Sequence, residues 1–172
     1  MSEDFFPIKK VDHVELYVGN AKQAAHFYKT AFGFAHTAYS GLETGNRQTA
    51  SYVLEQHLIR LVLTTALSPD SAIARLAHLH GDNVAVIALE VDDAAEAYQT
   101  ATSRGATGAI PPTQEEDDHG VLRYAAIRTY GDTIIKFVDR SDYNGVFAPG
   151  YEPRNGSAAV NGTNGHEGVD AR

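Results

Sequence analysis

Eight histidines and no cysteine define the chemistry open to this sequence. Without thiols it forms no disulfide, no thiolate metal site and no thiol nucleophile. A metal would have to be held by imidazole and carboxylate, and a divalent ion takes about three protein ligands. His13 is the strongest candidate. It stands in VDHVELYV, where His13, Glu15 and Tyr17 alternate with Val14, Leu16 and Val18 in the pattern of a half-buried strand. Such a histidine either ligates an ion or packs in a hydrogen-bonded contact, with nearby Glu15 or a backbone carbonyl as its partner.

The other candidates read as structural. His26 sits on a helix beside its apolar face and is expected at the surface. His78 and His80 look like a ligand pair, but side chains two apart on a helix diverge. They suit its last turn, where a cation meets the negative end of the dipole. His36 and His57 fall on different strands and could meet across a sheet, which the sequence leaves open. His119 follows EEDD, a run that could hold a cation loosely and reads better as a solvated loop. His166 lies in a polar tail and is expected to be solvated. GLETGNR reads as a hairpin turn, with Arg47 beside it an ordinary surface cation rather than an anion site. Tyr17, Tyr52, Tyr124 and Tyr130 are expected to pack in the core or on the sheet faces, with lining of a cleft as the alternative. No phosphate-binding loop or nucleophile elbow is present.

The elements that must position these residues come in two copies. In the first, the strand from Val11 leads to a helix that Asn20 caps, with Gln23 three residues on as in a capping box. Ala24, Phe27, Tyr28 and Ala31 share a face of that helix, and Gly33 stops it. Strands are predicted from Phe34, from Arg47 and from His57, so residues 11–65 form a β-α-β-β-β module. LSPDSAIARLAHLHG then predicts a connecting helix over 68–80, with Ser68 as cap, Pro69 in its first position and Gly81 at its close. Residues 83–140 repeat the order. NVAVIALEV is a strand, Asp92 or Asp93 caps a helix that Gly105 ends, and ATGAI, VLRYAAIRT and TIIKFVDR are three more strands. In register, His13 lies over Val86 and Asn20 over Asp93, a period of about 73 residues that is too long for a solenoid. The paired modules span 8–140. Residues 141–153, SDYNGVFAPGYEP, read as an extended segment. Residues 154–172 read as a disordered linker or tail, which suggests that a further segment follows.

The formal net charge of −8, with no cluster of Lys and Arg, argues against nucleic acid as a partner. No apolar run approaches the roughly 18 residues that span a bilayer, and MSEDFFPIKK lacks the order of a signal peptide. A cytoplasmic protein without a membrane partner is expected.

DHVELYVGNAKQAAHFYKTAFGF, GLETGNR, YGDTIIKFVDR and YNGVFAPGYEP together resemble the N-terminal half of the 4-hydroxyphenylpyruvate dioxygenase family, within the vicinal oxygen chelate, or glyoxalase, superfamily. Hydroxymandelate synthases share the layout. The likeness covers roughly Ile8 to Pro153. It implies an α+β fold in which paired βαβββ modules form a curved mixed sheet around a cleft. It also implies a non-haem Fe(II) dioxygenase of tyrosine catabolism, which converts 4-hydroxyphenylpyruvate and oxygen to homogentisate and carbon dioxide. The iron of that family is held by two histidines and a glutamate of the C-terminal domain. For this chain the resemblance implies no cofactor and no catalytic residue of its own, the C-terminal catalytic domain as partner, and homo-oligomer contacts.

A metal site in this superfamily takes a ligand from the first strand of each module and a carboxylate from a last strand. Here His13 has Val86 as its counterpart, and Lys136 stands about where the carboxylate belongs. Glu55, Asp132 and Asp139 lie at strand ends. His13 is thus the sole candidate ligand, and packing is its expected role. The reading is the non-metal-binding half of such a dioxygenase, inactive without its C-terminal domain. The alternative is a metal-free, ligand-sequestering protein of the bleomycin-resistance type, whose cleft forms between two chains and whose acidity suits a cationic ligand. The incomplete ligand set counts against a metal-dependent enzyme of the glyoxalase type.

Overall fold

A computed structural model describes residue 6 and residues 8–155, which leaves His166 and most of the 154–172 tail outside the described residues. Two β-α-β-β-β units follow one another. The first is β1 (Ile8–Tyr17), α1 (Ala21–Phe32), β2 (Ala35–Ser40), β3 (Thr49–Gln56) and β4 (Ile59–Ala66). After α2 (Ala72–His80) come β5 (Asn83–Val91), α3 (Ala94–Ser103), β6 (Gly108–Asp117), β7 (Gly120–Arg128) and β8 (Ile134–Asp139), and a short β9 (Glu152–Pro153) closes the order. All nine strands join one open mixed sheet in the order β6-β7-β8-β5-β1-β4-β3-β2-β9. The first strands of the two units, β1 and β5, meet antiparallel at its centre, and each runs parallel to the last strand of its own unit, β4 or β8.

Local chemistry explains the helices. Asn20 is extended and its side chain accepts from the Gln23 amide at 3.0 Å, while Gly33 takes a left-handed conformation at the other end of α1. Asp93 caps α3 through the Ala95 and Glu96 amides. Both helices pack on one face of the sheet. Ala21 and Ala25 of α1 bury against Leu54 and Leu63, and Ala94 and Ala97 of α3 against Phe137. The small alanines bring helix and sheet close, and the opposite face is left to form a cleft. Among the described residues no helix is long and apolar enough to cross a membrane.

Five expectations are corrected. The connecting helix begins at Ala72, not at Pro69, because Ser71 rather than Ser68 supplies the cap, accepting from the Ala74 amide at 3.0 Å. Strand β3 starts at Thr49, leaving Arg47 exposed, and β4 starts at Ile59, because His57 turns the chain with φ 52°. The short strand ATGAI is the start of a ten-residue strand reaching Asp117, so Glu115, Glu116 and Asp117 are strand residues rather than a loop. Pro111 and Pro112 disguise it. They are tolerated because β6 is the edge of the sheet and its register slips between Ile110 and Thr113. Lastly, 141–153 is not merely extended. It crosses the cleft face and ends as β9 paired to β2.

That crossing rests on a tight turn. Gly120 has φ 120°, and a Cβ there would lie 2.0 Å from the Asp142 carbonyl oxygen. Gly120→Ala is expected to destabilise the protein by more than about 2 kcal/mol through strain and overpacking. Urea unfolding checks this, and an unchanged midpoint would show that the turn is not held this way.

Candidate functional site

The candidate site is the cleft face, and its organising feature is an irregularity in β1. Val11 pairs with Leu89 but His13 pairs with Ala88, so β1 carries one extra residue, Asp12. A bulge of this kind breaks the alternation of side chains and re-aims them. Sequence neighbours that should point to opposite faces meet instead, with His13 Nδ1 bonded to Asp12 Oδ2 at 2.6 Å. Both residues are 4% exposed.

Asp12 is also gripped from across the sheet. Arg140, just past β8, donates Nε to Oδ1 at 2.6 Å and Nη2 to Oδ2 at 3.0 Å, a two-pronged pair, and Arg60 Nη1 stands 3.5 Å from Oδ1. Burial pushes the Asp12 carboxyl up, but the hydrogen bonds from His13 and Arg140 and the Arg140 charge outweigh it and hold the group well below the usual carboxylate range. Burial pushes His13 the other way, below its ordinary value, with Asp12 offsetting only part of the effect. The pair is therefore a carboxylate accepting from a neutral imidazole.

The segment after β8 covers this network. Phe147, 6% exposed, packs on Ala38, Val53 and Val62. Its ring meets His13 edge-on at 5.1 Å and lies under the guanidinium groups of Arg140 and Arg60, at 5.3 and 5.7 Å. Arg140 Nη1 also donates to the Phe147 carbonyl. One arginine thus holds both the bulge and the segment that covers it.

What stays open is a cavity of about 180 Å³, below the ~300 Å³ at which ordinary ligand pockets begin. His13, Glu15, Lys136, Tyr124, Glu115 and Tyr151 are among its lining residues. Glu15 accepts from the Thr64 hydroxyl at 2.7 Å, and Thr64 in turn meets Ser51. Lys136 Nζ lies 4.0 Å from the centroid of the Tyr124 ring, whose hydroxyl donates to Glu115. Burial pushes the Lys136 ammonium down, only partly offset by the charges of Glu15 and Glu115. Burial and the Glu115 bond push Tyr124 up to about 12.

Donor chemistry decides the expected metal positions. Val86 offers no donor, Lys136 is a cation, and one ring nitrogen of His13 is engaged by Asp12. Among the described residues no group of three or more His, Asp or Glu side chains gathers. These residues do not fit a divalent ion. The partner expected for His13, Glu15 or a backbone carbonyl, is corrected to Asp12, because the bulge brings the preceding residue alongside.

The remaining candidates disperse. Glu55 pairs with Arg60, and Asp132 with His80 at 2.7 Å on the surface. Asp139 accepts from the Ser141 amide and hydroxyl. His26, His57, His78 and His119 are exposed; His36 pairs in register with Leu54, while His57 lies in the turn between β3 and β4. His36 stacks at a tilt on Tyr52, its Nε2 buried without a hydrogen-bond partner among the described residues. Tyr52 packs on the α1 side and Tyr130 is 96% exposed, so of the four tyrosines Tyr124 lines the cavity and Tyr17 packs beside Val86. Sequence reasoning missed Asp12, Arg60, Arg140 and Phe147. An Asp directly before the strand histidine was the one visible signal.

Comparison with known proteins gives the arrangement a context. Residues 10–141 match the family model described as Glyoxalase/Bleomycin resistance protein/Dioxygenase superfamily. The chain is 46% identical to a 4-hydroxyphenylpyruvate dioxygenase of Dictyostelium discoideum, over 81% of this chain and 39% of that protein. It is 41% identical to one of Aspergillus fumigatus, over 91% of this chain and 42% of that protein. Among solved structures, a mutant 4-hydroxymandelate synthase from Streptomyces coelicolor superposes with a TM-score of 0.78 at 27% identity, over 89% of this chain and 44% of that one. The chain therefore spans about two fifths of the length of the relatives it matches.

Proposed function

The chain belongs to the glyoxalase/bleomycin resistance protein/dioxygenase superfamily, and from that membership we propose that it serves as the N-terminal, non-metal-binding half of a dioxygenase acting on 4-hydroxyphenylpyruvate. One observation carries the reading: identity of 41–46% over most of this chain with 4-hydroxyphenylpyruvate dioxygenases more than twice its length. In this reading Fe(II) and the open coordination positions that take a 2-oxoacid and oxygen belong to the complementary C-terminal half. This half is the partner domain that the iron-bearing half packs on, and it contributes no reacting group.

The cleft supports that division of labour. In a ligand-sequestering relative the cleft must be free to receive its ligand. Here Phe147, Tyr143 and Tyr151 of the chain's own segment occupy much of it, and an arginine–carboxylate pair pins that segment down.

The test is a comparison of the purified chain with the same chain fused to the complementary half of the Aspergillus fumigatus relative. With Fe(II), 4-hydroxyphenylpyruvate and oxygen, the chain alone is expected to give no homogentisate and no oxygen uptake, and the fusion to give both. Stoichiometric iron and turnover by the chain alone, lost in His13→Ala, would overturn the proposal.

A further inference from the structure

The residual cavity in the cleft holds charges that face one another without touching. His13 on β1 pairs in register with Ala88 on β5, and Ala88 with Lys136 on β8, so the three lie in one row across the sheet. Two strand spacings put the Cα atoms of His13 and Lys136 roughly 9–10 Å apart, and the residue between them is an alanine with no bulk to fill the gap. On the β1 side, Glu15 spends one carboxylate oxygen, Oε1, on Thr64. His13 has Nδ1 bonded to Asp12, so its acceptor nitrogen, Nε2, is the one left over. On the β8 side, Lys136 Nζ rests over the Tyr124 ring, and among the described residues no carboxylate comes within ion-pair distance of it. Glu115 stands at the rim, Arg140 is committed to Asp12, and Phe147, Pro149 and Tyr151 form the cover.

A bare anion in this cavity meets Glu15 and Glu115, and a bare cation meets Lys136. Either leaves a like charge unanswered. A molecule carrying both charges on neighbouring atoms answers each. The volume of about 180 Å³ admits only a small one. We propose that this cavity is a binding site for a small zwitterion of the amino-acid class, its carboxylate on Lys136 and its ammonium on Glu15 with His13 Nε2 as a further acceptor. The site uses residues that the proposed dioxygenase role leaves idle.

The experiment uses the full chain with glycine, L-alanine and L-serine as probes, and with acetate and methylamine as single-charge controls at matched ionic strength. Binding is read by thermal shift and by ligand-observed saturation-transfer NMR. At least one amino acid is expected to raise the melting temperature saturably, as a ligand of the native state must, while acetate and methylamine do not. Lys136→Met and Glu15→Gln are each expected to weaken binding by about tenfold or more, as loss of one partner of a shielded charge pair does, and Lys22→Met on exposed α1 to leave it unchanged. Absence of binding by all three amino acids in the unmodified chain overturns the proposal. So does acetate binding as well as any amino acid with Glu15→Gln silent, which would make this an anion site.

Discussion

Asp12→Ala is expected to be among the most damaging single substitutions at the cleft, lowering stability by about 3–5 kcal/mol. The carboxylate is buried and answers Arg140 in two-pronged geometry, His13, and at longer range Arg60. Its removal leaves a guanidinium and an imidazole in the cleft without their partner, and that uncompensated burial is the source of the cost. It also frees Arg140, which holds the Phe147 carbonyl, so the covering segment loosens with the bulge. Urea unfolding with hydrogen exchange at residues 143–151 reads both effects. Asp12→Asn keeps the shape and should fall between the alanine variant and the parent. Loss of under about 1 kcal/mol in Asp12→Ala, the value of an exposed pair, would show that the network contributes little.

The same pair fixes how stability depends on pH. The folded carboxyl of Asp12 sits far below its unfolded value of about 3.9. The unfolded chain therefore takes up that proton first on acidification, and the stabilisation, full above about pH 4, drains away below it. His13 acts earlier in the descent. Its folded value lies below its unfolded value of about 6.5, so below that pH the unfolded chain binds a proton that the folded chain refuses. Each withheld proton steepens the loss by up to about 1.4 kcal/mol per pH unit. A His13→Gln variant should show a flatter decline between pH 6.5 and 4 by part of that slope, and Asp12→Asn a flatter decline below pH 4.

The internal repeat makes much of this fold legible in the amino-acid sequence. Asn20, Gln23 and Gly33 mark the ends of α1, Asp93 marks the start of α3, and the alternation around Val14 and Val86 marks the two central strands, because each signal is local. Signals fail where the deciding contact is remote or ambiguous. LSPDS holds two serines that can cap a helix, and only the turn from Ser68 to Ser71 selects the second. Pro111 and Pro112 end a strand on local rules, yet an edge strand forgives them. The bulge at Asp12 is invisible because alternation carries no mark of an inserted residue, and the arginine that requires it lies 128 positions away. The cleft is thus readable as a place, with His13 and Lys136 correctly put upon it, while the carboxylate that decides their chemistry is not. Nor is the covering segment, whose turn residues lack periodicity although its Tyr143, Phe147 and Tyr151 bury as core residues do.

Phe147→Ala separates a covered cleft from an open one, and an effect of about 3–5 kcal/mol is expected from the lost packing and the space left behind. The ring fills the gap between Ala38, Val53 and Val62 and sits under the guanidinium groups of Arg60 and Arg140. Its removal joins that gap to the cavity of about 180 Å³ beside it. The joined space reaches the size of an ordinary ligand pocket, lined by Arg60, Arg140 and His13. The far end of the segment should nonetheless stay in place, because β9 pairs with β2 and the Arg154 amide donates to the Thr37 carbonyl at 2.9 Å. Exchange is therefore expected to rise at residues 143–151 while 152–154 remain protected, and a dye that binds apolar surfaces should enter the opened cleft. Phe27→Ala is the control, since Phe27 is 56% exposed on α1 and its loss should change stability by no more than about 0.5 kcal/mol. If the two variants behave alike, the segment is a passive surface loop. If Phe147→Ala alone opens the cleft, the chain's own aromatic residue is what distinguishes this half from relatives whose clefts admit a ligand.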